Sequence, residues 1–210
     1  MTMFNEPEVV LIRRWADVRL LEDGVKSIRG KYAEIFEEVL QTVQKKRRDL
    51  NSPSSKNLRR YGSVGIAKKA WLSETNSRHS AMWIYNIGIE NLIEQDQEAP
   101  QMSVQIYDPD VDLQEATNRL REYAEGLVAK KSISEDEFHR IGFDCDKSEA
   151  YLWSPLKESR DELLELLLKD EARGFIDHMV QHFEWLAMFA PVVDEFHLAK
   201  TKTASPKRSP

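Results

Sequence analysis

MWIYNIGIENLIEQDQEAPQMSVQIY, residues 82–107, is the stretch on which the fold turns. Trp83, Tyr85, Ile87 and Ile89 alternate with Met82, Ile84, Asn86 and Gly88, and Met102, Val104 and Ile106 alternate with Ser103, Gln105 and Tyr107. Period-two alternation sends successive side chains to opposite faces of a strand. Residues 82–93 and 102–107 therefore predict a hairpin around the turn-rich residues 95–100, with Trp83, Tyr85, Ile87 and Ile89 as the apolar face of its first strand. Residues 66–72 add a third strand across the loop-like residues 73–80, giving an antiparallel meander. Further on, 141–145 and 149–153 read as a second hairpin, turning near 146–148.

Helical periodicity surrounds these strands. Val18, Leu21, Val25, Ile28, Tyr32, Ile35 and Val39 recur at spacings of three and four, which predicts one long helix over about 16–48. Leu20, Phe36, Leu40 and Val43 widen its stripe into a core-covering face, with a dimer seam as the alternative. Gly24 and Gly30 each cost about 1 kcal/mol relative to alanine in a helix, so packing must compensate or the helix breaks there. Asp112 and Glu115 have capping-box spacing ahead of a helix with Leu113, Ala116, Leu120, Tyr123, Ala124 and Leu127 on its apolar side. Ser134 and Glu137 repeat that spacing. Ser154 followed by Pro155 reads as an N-cap with proline at the first helical position. The helix it predicts runs through Leu163–Leu168 to Phe189, kinked or divided near Gly174. Pro191 is expected to close the ordered fold, and 199–210 to form a disordered basic tail containing the Ser205-Pro206-Lys207-Arg208 pattern.

The elements predict a single α+β domain over 1–198, a mainly antiparallel four- or five-stranded sheet covered by three major helices. The 210 residues suffice for a continuous core, and 41 % hydrophobic with 31 % charged residues is a globular composition. Cys145 is the single cysteine, so no intrachain disulfide can form and a reducing, cytoplasmic location is expected. The amino-terminal residues do not read as a secretory signal, and no run reaches the roughly 20 apolar residues of a membrane span, so no membrane partner is expected.

One feature stands apart from this ordinary balance. Lys45, Lys46, Arg47, Arg48, Lys56, Arg59, Arg60, Lys68 and Lys69 are opposed locally by Asp49 alone, a net charge of +8 in a chain whose formal total is −6. Clustered positive charge in an acidic chain points to an anionic partner, nucleic acid first, unless the protein's own carboxylates neutralise it. The acidic pI of about 5.5 limits such contact to that segment. Gly62, Ser63 and Gly65 beside it lack the lysine and hydroxyl order of a phosphate-binding loop.

Motifs for chemistry are sparse. His178 and His182 share a helix face at a spacing of four, but Met179 stands where a zinc hydrolase needs glutamate. Asp108 and Asp110 at a strand end, with Asp144, Cys145, Asp146 and Lys147 beyond, do not reproduce the acidic-x-lysine order of the restriction-endonuclease-like nucleases. Asp144 and Asp146 would raise the Cys145 pKa and make it a poor nucleophile. His79, between Arg78 and Ser80, falls in a predicted loop. No metal and no cofactor is expected. The sequence thus points to a non-enzymatic binding or regulatory protein working through protein–protein contacts, with Phe183, Leu186 and Phe189 as the contact surface and a protein partner or second copy as ligand. Nucleic-acid association through the basic segment is the alternative, and a metal-dependent hydrolase or nuclease ranks last.

Overall fold

The computed structural model describes Pro7, Val10 and residues 14–50, 62–72, 80–94, 98–107, 112–146 and 148–203, with backbone alone at 15, 16, 18 and 198–203. The fold is α+β, with five strands in one antiparallel sheet. β1 (Val64–Ile66), β2 (Ala81–Tyr85), β3 (Gln101–Tyr107), β4 (Gly142–Asp146) and β5 (Glu149–Pro155) lie in the order β1-β2-β3-β5-β4. The first three form the expected meander. The β4–β5 hairpin then joins through β5, which pairs with β3 along its full length from Gln101↔Pro155 to Tyr107↔Glu149.

Three long helices cover the sheet: α1 (Trp15–Lys46), α3 (Leu113–Ala129) and α6 (Arg173–Ala187). The shorter α2 (Ile89–Ile93), α4 (Glu135–His139) and α5 (Arg160–Leu168) and the last helix, α7 (Ala190–Thr203), fill the edges. α6 lies on β2 and β3, α1 lies on α6, and α3 lies on β4 and β5. Tyr32 and Phe36 of α1 meet Phe175 of α6 with ring centroids 5.3–5.9 Å apart. Thr117 of α3 donates to the Asp144 carbonyl at 3.4 Å, and the Arg121 guanidinium sits 5.0 Å from the Phe143 ring. Val64, Ile66, Met82, Ile84, Met102, Val104, Ile106, Ala150 and Leu152 form the sheet's inner face and are all buried.

Several local expectations change. β2 stops at Tyr85 because Asn86 adopts a left-handed backbone (φ 56°), so Ile87 lies in a turn and Ile89 opens α2. The core face of β2 is Met82 and Ile84, not Trp83 and Tyr85. Residues 66–72 are not one strand, since β1 ends at Ile66 and Lys69–Trp71 form a 3-10 turn. Ser154 and Pro155 belong to β5, and α5 starts instead at Ser159, whose side chain closes a capping box with Glu162. Before Gly174 the chain is divided by left-handed Asp170, Glu171 and Ala172, separating α5 from α6. The Asp112 carboxylate caps α3, and Ser134 with Glu137 caps the five-residue α4. Pro191 falls in the first turn of α7, whose backbone stays helical to Thr203, into the segment expected as tail. Residues 204–210 lie outside the described residues.

Candidate ligand face of the sheet

With the helices packed on one side, the other side of the sheet is left to the alternate residues of each strand. The registers align one residue from every strand across this outer face: Gly65↔Trp83, Trp83↔Ser103, Ser103↔Trp153 and Trp153↔Gly142. The row reads Gly, Trp, Ser, Trp, Gly from edge to edge. Each indole lies flat over the glycine beside it, since a Cβ at Gly65 would sit 2.4 Å from the Trp83 ring and one at Gly142 2.3 Å from the Trp153 ring. A side chain at either edge would lift its tryptophan off the sheet.

Tyr85 lies lengthwise along this face. Its ring stacks on Trp83 at 6.0 Å and 29°, and its hydroxyl accepts from Gln105 Nε2 at 2.7 Å, four residues along β3 from the residue it pairs with. Beneath it Ser103 is buried and donates to the Leu152 carbonyl at 2.8 Å. Between Tyr85 on one side and Tyr151 with Trp153 on the other runs a groove of about 360 Å³, floored by Ser103 and flanked by the amides of Gln101 and Gln105. Trp153 is 41 % exposed there. Burial raises the pKa of both Tyr85 and Tyr151, and the charges of Asp144 and Asp146 raise Tyr151 further. Both phenols stay neutral. Asp144 and Asp146 are exposed on the same face of β4, and Glu149 pairs with Asp146 across the hairpin, so the groove's rim at this end is acidic. Such a groove can stack on flat or ring-shaped groups, exchange amide hydrogen bonds and attract positive charge.

The basic segment does not form one open surface. Lys46 pairs with Glu184 at 2.7 Å, and Arg47 pairs with Asp49 and donates to the Ala187 carbonyl, both at 3.3 Å. Lys68 lies between Asp194 at 2.7 Å and Asp49 at 3.1 Å. Lys45, Arg48 and Lys69 are exposed and have no ion pair among the described residues. Lys56, Arg59 and Arg60 lie outside those residues. Ser63 is buried, and Gly65 is roofed by Trp83, which leaves no phosphate cradle.

Phe183, Leu186 and Phe189 are corrected outright as a contact surface, because each is 0 % exposed. α6 is enclosed by the sheet, α1 and the turn into α7, and Phe189 packs against Trp185 at 5.1 Å and Tyr123 at 6.0 Å. His178 and His182 do share a face, but what they grip is a carboxylate. His178 Nδ1 lies 2.7 Å from Glu158 Oε1 and His182 Nε2 lies 2.8 Å from Glu158 Oε2. Among the described residues no group of three or more His, Cys, Asp and Glu is arranged to hold a metal ion. Burial lowers the pKa of His182 despite the nearby carboxylate, so it donates to Glu158 as a neutral ring. Burial alone would raise Glu158, yet hydrogen bonding from His178 and interaction with His182 hold it below the usual carboxylate value.

Asp108, Asp110, Lys147, Arg78 and His79 lie outside the described residues. Cys145 points inward, half-buried. The tryptophan row escaped the sequence reading, although its signal was present: Trp83 and Tyr85, like Tyr151 and Trp153, occupy alternate positions of strands otherwise lined by aliphatic residues.

No family model matches the sequence, and no curated protein or solved structure matches it. No helix among the described residues is long and apolar enough to cross a membrane.

Proposed function

We propose that the chain is a non-enzymatic binding protein that lays an extended, positively charged segment of a partner protein along the outer face of its sheet. The observation carrying this reading is the groove between Tyr85 and the Tyr151–Trp153 pair, with Trp153 exposed in it, on a sheet whose other face is packed. Aromatic grooves flanked by amides suit extended, proline-containing peptides, whose stiff backbone loses little entropy on docking. The acidic rim at Asp144 and Asp146 supplies the preference for positive charge and disfavours a phosphodiester chain. Nucleic-acid binding through the basic segment has less support, because Lys46, Arg47 and Lys68 are held by the protein's own acceptors.

An array of peptides of graded charge, read by fluorescence anisotropy, tests the proposal. Basic, proline-containing peptides are expected to bind, and Trp153→Ala to weaken them about tenfold or more, as an aromatic anchor at an interface does. Asp144→Lys with Asp146→Lys should abolish the charge preference while Lys45→Ala with Arg48→Ala changes nothing. Equal binding of acidic and basic peptides would overturn it. So would salt-sensitive capture of single-stranded oligonucleotides that depends on Lys45, Arg48 and Lys69, which would install the nucleic-acid reading instead.

A further inference from the structure

The amphipathic stripe of α1 outruns the domain it covers. Over its 32 residues the helix extends about 48 Å. Tyr32, Phe36, Val39, Leu40 and Val43 are buried at 0–3 % exposure, whereas Leu20, Leu21, Val25 and Ile28 on the preceding turns are 75, 70, 45 and 52 % exposed. Leu21, Val25, Ile28 and Tyr32 lie on one side of the helix, so a single continuous stripe is core at one end and bare at the other. A bare segment of this length is marginal as a helix in water. Gly24 and Gly30 weaken it by about 1 kcal/mol each. Among the described residues neither glycine is explained by close packing, since nothing lies within 4 Å of a Cβ built at either.

The charges beside the stripe say what covers it. On helical spacing Asp17 and Lys31 flank one side of the stripe and Glu22 and Arg29 the other. If two copies of the segment are set antiparallel about a two-fold axis near Gly24 and Val25, Leu21 meets Ile28 of the second copy and Val25 fits against its Gly24. The same alignment brings Glu22 to Arg29 of the second copy and Asp17 to its Lys31, each pair occurring twice. A parallel pair would instead set Arg29 beside Lys31, like against like. Arg29 donates from Nε to Glu90 at 2.5 Å, leaving the rest of its fork to donate to a second carboxylate.

We propose that residues 17–31 form an antiparallel homodimer interface, through which two domains are joined end to end by their α1 helices. The surface is small for a stable interface, so a dissociation constant on the order of 10 µM is expected. Sedimentation equilibrium of the full chain over a concentration series reads it directly. The mass should rise from 24.4 kDa toward twice that value. Leu21→Lys should remove the dimer with the circular dichroism of the domain retained. Asp17→Lys and Lys31→Asp should each weaken association about tenfold, since every reversal acts at two symmetric pairs, and together should restore it. A mass fixed at that of one chain up to about 200 µM overturns the proposal. A dimer indifferent to Leu21→Lys also overturns it by placing the interface elsewhere, and failure of the double reversal to restore association overturns the antiparallel geometry.

Discussion

A methyl group added at Gly142 would lie 2.3 Å from the Trp153 indole, and one at Gly65 2.4 Å from that of Trp83. These are ring atoms of indoles laid on the sheet, Trp83 further held by stacking on Tyr85, so the strain cannot be shed by a flexible chain end. Gly142→Ala and Gly65→Ala are each expected to destabilise the fold by about 1–3 kcal/mol, the usual cost of overpacking. Both should also shift tryptophan emission to longer wavelength as an indole lifts into water. Gly142→Ala has a further consequence, because Trp153 forms a groove wall: peptide affinity should fall along with the urea midpoint. An unchanged midpoint and emission in both variants would show that the rings do not lie on the glycines.

At the scale of elements, α6 is held to the β5–α5 connection by one carboxylate between two imidazoles. Its pH dependence follows from the two shifts. His182 has a folded pKa below its ordinary 6.5, so the unfolded chain takes up protons first and stability declines as pH falls below that value. Glu158 also has a lowered folded pKa, so its contribution is present above the ordinary carboxylate value of 4.5 and is lost as pH falls through the lower folded one. Both act in the same direction, and acid should loosen α6 in two stages. Glu158→Gln should lower stability at neutral pH by about 1–3 kcal/mol, because one imidazole N–H then faces an amide donor. It should also remove the decline below pH 4.5 that Glu158 contributes and steepen the one below pH 6.5, because His182 loses the carboxylate that opposes the effect of burial; an acid limb of unaltered shape in E158Q would refute the assignment. The same region shows where sequence reading reaches its limit. Ser154-Pro155 and Ser159 with Glu162 both carry helix-start chemistry, and the choice was made by β3, whose pairing extends β5 to Pro155. In β2 the alternation was legible but its phase was not, because aromatic and aliphatic residues are both apolar. Only the helices covering Met82 and Ile84 decide which set faces water, and that decision creates the groove. The charge of the basic segment was equally legible, while its neutralisation depends on Glu184 and Asp194, far away in sequence.

For the molecule as a whole, the question is what fastens α7 to the far end of the chain. The Asp194 carboxylate accepts from Trp71 Nε1 at 2.8 Å and from Lys68 Nζ at 2.7 Å, and Lys68 also reaches Asp49, just past the end of α1. The start of α7 is thereby joined to the β1 edge and to α1, and Val192 and Val193 beside Asp194 are 0 % exposed. On α3, Arg119 adds a two-pronged pair with Glu195 at 2.8 and 3.1 Å, more exposed and weaker for that reason. Partial burial favours the neutral amine of Lys68, but hydrogen bonds to Asp194 and Asp49 outweigh it and raise the pKa. Part of the local positive charge is therefore a fastening within the fold. Asp194→Ala strands the N–H of a buried indole together with the ammonium, and should cost about 2–3 kcal/mol. Lys68→Met should cost less, since Asp194 keeps Trp71, and Lys69→Met should stay within about 0.5 kcal/mol of zero, as surface changes do. Thermal melts of the three variants give the ranking, and hydrogen exchange locates the loss: amides of α7 should lose protection in Asp194→Ala before those of β3 and β5 do. If Lys69→Met proves as harmful as Lys68→Met, stability would follow total charge rather than this particular pairing, and the fastening role of Lys68 would fall.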